Sequence, residues 1–279
     1  MSEVLAMVSE FHRPRDAAEA LALLGSKAGA LALGGGTQIL SAEFRDRSIE
    51  VVALAGLLPG TIRHGGGVLE MGAAATFQDL VDFSPLPLAL RSAAEGMVDR
   101  NIRNRATLGG NLGADKSCSS LVPLLLALDA ELELLDGRQT SLEKWLDLPP
   151  GPRGRGIIST IRVRMAPGLL AGYARWTRVS CDLSILGASV AYRIEGGLVR
   201  DLRLALGGMA AHARLFPAIA ALFEGKRLQG RDAVEAAVAP LLAPIGDARA
   251  SVEFKRLRCS GLVAEALAGA VDITREVTR

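Results

Sequence analysis

Residues 103–115 read RNRATLGGNLGAD, and residues 33–40 read LGGGTQIL. Each stretch places adjacent glycines directly before a small polar residue. Glycine lets backbone N–H groups approach a ligand closely and reaches positive φ without a Cβ penalty. Successive N–H groups in such turns form concavities that bind anions, phosphates above all. Taken alone, either run also suits a plain tight turn. Two of them, each following an apolar run, suggest a diphosphate gripped from two sides.

Working outward, the first glycine run sits in a small α/β unit. Asp16 to Leu24 has helical periodicity, with Ala20, Leu21 and Leu24 on one face. Ala30 to Leu33 is a short strand entering Gly34–Gly36. Thr37 is placed to cap a short helix from Gln38 to Phe44, and Ile49 to Leu54 is a second strand. A second unit opens with a hairpin, Thr61–His64 and Val68–Met71, around Gly65–Gly67. Thr76 starts a helix with Asp79 three residues on, a capping-box pattern. A long helix follows over Leu86–Val98, then the second glycine run, an apolar helix over Leu121–Leu128, a strand over Ala130–Leu135 and a short helix over Leu142–Leu146. The Pro/Gly/Arg-rich segment 149–156 is expected to be a mobile loop before a strand at Ile157–Val163. Past Ala166-Pro167-Gly168 the pattern becomes three strands, Gly172–Val179, Ser184–Ile194 and Val199–Leu206. Three helical stretches close the chain, Pro217–Glu224, Arg231–Leu242 and Ser251–Val271. Strands followed by helices make this an α+β chain, divided at 1–56, 57–166 and 167–279.

Composition narrows the function classes. A net charge of +2 over 279 residues gives no argument for nucleic acid or a membrane surface. The densest basic cluster, Arg100 to Arg105, abuts the glycine run. Three cysteines, Cys118, Cys181 and Cys259, lie far apart with no CxxC, which argues against a disulfide framework, a zinc site or an iron–sulfur site. That fits a reducing cytoplasm. The first 16 residues lack the basic and long apolar regions of a signal peptide, and no apolar run approaches the ~20 residues of a membrane span. A soluble cytoplasmic protein is expected.

Common catalytic constellations are missing from the pattern. His12, His64 and His212 are isolated in sequence, without HExxH spacing, and there is no GxSxG elbow. Cys118 stands between Ser117 and Ser119 without an evident base. GGGTQ matches neither the Rossmann fingerprint nor the lysine-bearing P-loop. Thr107 and Asn111 can hydrogen-bond a diphosphate or ribityl chain, while Gly109 and Gly110 let the backbone close in. Neither run offers a general base, which points to a cofactor that carries its own chemistry.

The combination resembles the FAD-binding, medium subunit of the molybdenum hydroxylases, the xanthine dehydrogenase and carbon monoxide dehydrogenase family. That family's flavin loops read AGGT-D-LL and IRN-ATIGGNLA; here they stand as residues 33–40 and Ile102–Gly113. The resemblance spans nearly the whole chain. Phe11–Leu24 is similar to the family's opening, and Leu121–Ala130 to the apolar helix after the second loop. Tyr173–Arg178 with Asp182-Leu183 is similar to its Y-x-K-F-x-x-R…D segment, Leu204–Arg214 to its LGG-A-P-x-R strand, and Phe254-Lys255-Arg256 to its Y-R-R helix.

The resemblance implies a two-lobed FAD-binding domain followed by a C-terminal three-strand antiparallel sheet with a helix bundle. Leu33, Gly34, Gly35, Gly36, Thr37 and Gln38 would hold the pyrophosphate and ribityl groups. Thr107, Leu108, Gly109, Gly110 and Asn111 would close from the other side. Met97 stands at a position lining the flavin site, Ile157 or Ile158 would pack near the isoalloxazine, and Arg175 replaces a common lysine near the ring's polar edge. Three positions depart from the pattern: Gln38 for a frequent aspartate, Ser117 for proline, and Ser120 for an aspartate that often binds the flavin. Losing that charged acceptor would weaken one contact by roughly 1–2 kcal/mol.

The implied role is an oxidoreductase subunit carrying electrons. A large partner subunit would hold a molybdenum cofactor and a small one two [2Fe–2S] clusters, in a dimer of heterotrimers. FAD in this chain would relay electrons to NAD, a quinone, a cytochrome or oxygen. No catalytic side chain or metal ligand is required of the chain itself. Two rivals stand beside it: a scaffold subunit that has lost tight FAD binding, and a self-sufficient flavin oxidoreductase on the same fold.

Overall fold

The N-terminal lobe is a parallel three-stranded sheet backed by one helix. In the computed structural model, which describes residues 7–27, 29–44 and 46–274, β1 (Met7–His12), α1 (Ala17–Ser26), β2 (Ala30–Leu33) and β3 (Ser48–Ala53) form this unit. The strand order is β1-β3-β2. Asp16 caps α1 by accepting from the Glu19 N–H at 2.9 Å, and α1 buries Ala20 and Leu24 against Val52 and Leu54. The helix expected over 38–44 is instead a turn, with only a 3₁₀ segment at Ala42–Phe44. Leu40 N–H reaches back to Gly36 O and Ser41 N–H to Gln38 O.

The second lobe is an antiparallel sheet of order β4-β5-β8-β6-β7. β4 (Ile62–Gly65) and β5 (Val68–Gly72) form the expected hairpin. α2 (Phe77–Asp82) begins with the full capping box of Thr76 and Asp79. The long helix read over 86–98 stops sooner, as α3 (Leu88–Glu95), and a separate turn α4 (Arg100–Arg103) follows. The glycine run is itself helical, as α5 (Leu108–Ala114). α6 (Leu121–Ala127), β6 (Glu131–Leu134), β7 (Gln139–Ser141), α7 (Leu142–Asp147), α8 (Pro152–Arg155) and β8 (Ile158–Arg164) complete the lobe. All seven residues of α6 are buried. Such a helix, apolar all round, belongs between two layers, and α6 lies between this lobe's core and the sheet that follows, where Ala191 and Ala205 join the same cluster.

The C-terminal sheet has five strands rather than the three expected. β9 (Leu170–Trp176), β10 (Leu186–Glu195) and β11 (Leu198–Gly207) are the meander. Two-residue edge strands extend it, β12 (Arg214–Leu215) on one side and β13 (Val271–Asp272) on the other. α9 (Pro217–Ala220), α10 (Arg231–Val238) and α11 (Val252–Ala268) cover one face. No helix among the described residues is long and apolar enough to cross a membrane.

Candidate flavin site

The fold brings the two glycine runs into contact. A Cβ built on Gly34 would stand 2.8 Å from Thr107 Oγ1, and one on Gly35 would collide with the backbone carbonyl of Arg105. Residues 105–109 are in turn stitched to the segment before α2. Phe77 N–H donates to Ala106 O, Leu108 N–H to Ala75 O, and Gly109 N–H to Ala73 O, each at 2.9 Å. The two lobes therefore meet backbone to backbone along a seam lined by both glycine runs.

Their donors are disposed differently. Among the described residues, no group accepts from the N–H groups of residues 35–39, although these residues are only half-exposed. Gly36 has a positive φ of 80°, the alternation that curls successive N–H groups into a concave anion nest. The N-terminus of α5 is engaged internally instead: beyond the two bonds just given, Gly110 N–H donates to the Thr107 side chain at 3.1 Å. On the α5 side the polar surface comes from side chains. Asn111 Oδ1 accepts from Ser119 Oγ at 2.7 Å, and no described group takes its amide N–H. A row of backbone donors without a partner among the described residues on one jaw, and a side-chain amide on the other, fit a diphosphate and a hydroxylated chain.

Polar side chains hold the jaws together at the rim. Gln38 Nε2 donates to Glu43 Oε2 at 2.8 Å, and Lys116 pairs with the same carboxylate oxygen. That hydrogen bond holds the Glu43 carboxyl below its ordinary range against the opposing effect of burial. Gln38, expected as a cofactor contact, thus faces a neighbour in its own lobe.

Other expected site residues lie farther into the structure. Ile157 is in the N-terminal lobe's core with Leu24 and Leu54, and Ile158 is in the second lobe's core. Met97 packs on that second core, and its carbonyl accepts from Arg103. Arg175 donates to Gly96 O and Ser180 O, both at 2.7 Å, so its guanidinium ties α3 to the turn after β9. The Ser117 carbonyl accepts from Gly208 N–H at 2.7 Å. Ser120 is buried and shares a 3.2 Å hydrogen bond with Ser184. The Tyr173 hydroxyl lies buried beside that pair without hydrogen-bond geometry to either, and burial pushes its pKa up.

The structure also brings together residues that spacing could not. Arg155 Nη1 reaches Asp115 Oδ2 at 2.7 Å, and His212 Nδ1 reaches the same oxygen at 2.8 Å. The segment 149–156, expected to be mobile, is therefore anchored at its end by a buried arginine. His212, isolated in sequence, sits on the residue that ends α5. His12 likewise finds Glu50, at 2.7 Å. These pairs join residues 38 to 97 positions apart, so no local signal announces them.

Comparison with known proteins shows the family. Residues 6–163 match the model of the FAD binding domain in molybdopterin dehydrogenase, and residues 171–270 match the CO dehydrogenase flavoprotein C-terminal domain. The protein YgfM of Escherichia coli (strain K12), itself uncharacterised, is 31% identical over 260 residues, covering 93% of this chain and 95% of that one. The xanthine dehydrogenase FAD-binding subunit of Escherichia coli O157:H7 is 31% identical over 271 residues, covering 88% and 90%. A solved carbon monoxide dehydrogenase from Hydrogenophaga pseudoflava, lacking the Mo-pyranopterin moiety of its cofactor, superposes with a TM-score of 0.83 at 26% identity, covering 95% and 98%. The chain belongs to the FAD-binding, medium-subunit family of the molybdenum-containing xanthine and carbon monoxide dehydrogenases, and is an oxidoreductase subunit.

Proposed function

We propose that this chain is the FAD-holding, electron-transferring subunit of a multi-subunit molybdenum-dependent hydroxylase or dehydrogenase. It would stand between the [2Fe–2S] clusters of a small subunit and an external acceptor, with the molybdenum cofactor in a large subunit, as a dimer of heterotrimers. The observation that carries this reading is the row of N–H groups at 35–39 without a partner among the described residues, beside the close approach of Gly34 to Thr107 across the seam.

In this reading the N–H groups of residues 35–39 bind the diphosphate, the Asn111 amide and Thr107 segment meet the hydroxylated chain, and the units 1–56 and 57–166 act as the two jaws. FAD supplies the one- and two-electron chemistry when bound. The chain's task is to hold it, exclude water and fix its orientation; no side chain serves as nucleophile or general base. Gln38, Ser117, Ser120, Met97, Ile157 and Arg175 shape the clamp from its rim and its backing. The seating of Ser120 against Ser184 favours the second reading, a scaffold subunit with weakened FAD binding.

Purification of the native complex through this chain separates the readings. Molybdenum, iron and FAD in fixed ratio support the first. Molybdenum and iron without flavin support the scaffold. Recovery of the chain with neither metal overturns both.

A further inference from the structure

We propose that Asp115 is a positioning residue of the FAD clamp, fastening the segment 148–156 and the loop 208–213 onto the end of α5. The proposal rests on the reading that this clamp holds FAD.

Asp115 ends α5 in the left-handed region, at φ 46°, a conformation that Asp and Asn tolerate better than most residues. Its side chain is 5% exposed and that of Arg155 3%. One carboxylate oxygen takes both Arg155 and His212. The remaining donors of Arg155 are turned to backbone: Nε to Leu148 O at 2.8 Å and Nη2 to Leu146 O at 2.7 Å. Its guanidinium lies 5.0 Å over the Trp145 ring, and the Trp145 indole N–H donates back to Arg155 O at 2.8 Å. The arginine is thus tied to its own segment, and among the described residues Asp115 is the carboxylate that pairs with it.

The loop bearing His212 is fixed from behind. Lys255, fully buried on α11, donates from Nζ to Gly208 O at 2.8 Å, while Gly208 N–H donates to Ser117 O at 2.7 Å. Two segments, 148–156 of the second lobe and 208–213 of the C-terminal unit, therefore converge on the end of the helix that carries Gly109, Gly110 and Asn111. Asn111 and Asp115 are four residues apart and share a helix face. Apolar packing would serve stability at least as well as a buried ion pair, and the other carboxylate oxygen, Oδ1, is buried with no partner. What the ion pair adds is register: it sets where α5, and so Asn111, stands against the nest at 35–39.

The test uses the full chain with Asp115→Asn, which keeps the shape and the tolerance of positive φ but removes the charge, and His212→Gln, which leaves the Arg155 pair intact. Asp115→Glu restores the charge. Three readouts are taken: tryptic cleavage within 149–156, FAD affinity by fluorescence quenching, and the visible circular dichroism of bound flavin. Asp115→Asn is expected to open the segment to trypsin, weaken FAD about tenfold and alter the flavin dichroism, while His212→Gln weakens FAD less and keeps the segment protected. Asp115→Glu recovers part of the affinity. An opened segment with wild-type FAD affinity and dichroism overturns the proposal. So does an Asp115→Asn chain that fails to fold beside a His212→Gln chain that binds as wild type. Wild-type protein that takes up no FAD overturns the clamp reading itself, and this proposal with it.

Discussion

The backbone of Gly35 lies against the carbonyl of Arg105 with no room for a side chain between them. This contact joins the two lobes at the centre of the candidate site. A methyl group there must push the jaws apart, since the obstacle is backbone rather than a flexible side chain. Gly35→Ala is expected to weaken FAD binding more than tenfold, about 1.4 kcal/mol or more, and to lower the melting temperature. Gly25→Ala is the matched control: it lies in α1 with open space around it, and gains roughly 0.5–1 kcal/mol of helix propensity. FAD titration and thermal melts of both variants check this.

Thr107 caps α5 and, in the proposed clamp, also lines the cofactor site. Its hydroxyl caps α5 through the Gly110 N–H, a contact whose removal costs about 1 kcal/mol. Thr107→Ala is expected to lose that much in urea unfolding, and Thr107→Ser to lose less because it keeps the oxygen. Equal losses in the two variants would assign the effect to the methyl group instead.

Much of this architecture was legible because its signals are local. Alternating strands around Gly65–Gly67, the Thr76/Asp79 capping box and the β9–β11 meander are all set by residues a few positions apart. β1 was not legible: five of its six residues are exposed, and its pairing with β3 is a long-range parallel one without hairpin chemistry. α5 was obscured by Gly109, Gly110 and Gly113, which lower helix propensity; the Thr107 cap and the burial of Leu108 and Leu112 restore it. Over 38–44 the sequence pattern suits a helix, but the chain turns after Gly36, whose φ is 80°, and forms only a 3₁₀ segment. The two glycine runs were legible as phosphate-binding candidates. Their contact, and the Asp115–Arg155–His212 junction, depend on tertiary placement alone.

Acid is expected to weaken the Asp247–Lys255 pair inside the C-terminal unit. Burial by itself would raise the Asp247 pKa, but Lys255 and the N–H groups of Arg249 and Ala250 hold it below the ordinary carboxylate range. A carboxylate depressed in the folded state adds stability that is present above its unfolded pKa of about 3.9. That stability is lost as pH falls through the lower folded value. Melting temperature should therefore drop below about pH 4, and Asp247→Asn should start lower and flatten that part of the profile. A variant with the same slope as wild type would contradict the assignment.

The three thiols should differ sharply in reactivity. Burial pushes Cys259 up to about 12 and also raises Cys118, whereas Cys181 is exposed. The thiolate is the reactive form, so a thiol reagent at mildly alkaline pH should label one cysteine in the native chain and all three after denaturation. Peptide mapping should find the native label on Cys181.

The most direct measurement is equilibrium titration of flavin-free chain with FAD, followed by the visible spectrum of the complex. Saturation at one FAD per chain, with a bound-flavin spectrum that Gly35→Ala abolishes or weakens, is the predicted result. A colourless chain that takes up no FAD, or one whose affinity Gly35→Ala leaves unchanged, would contradict the placement of the cofactor between the two glycine runs.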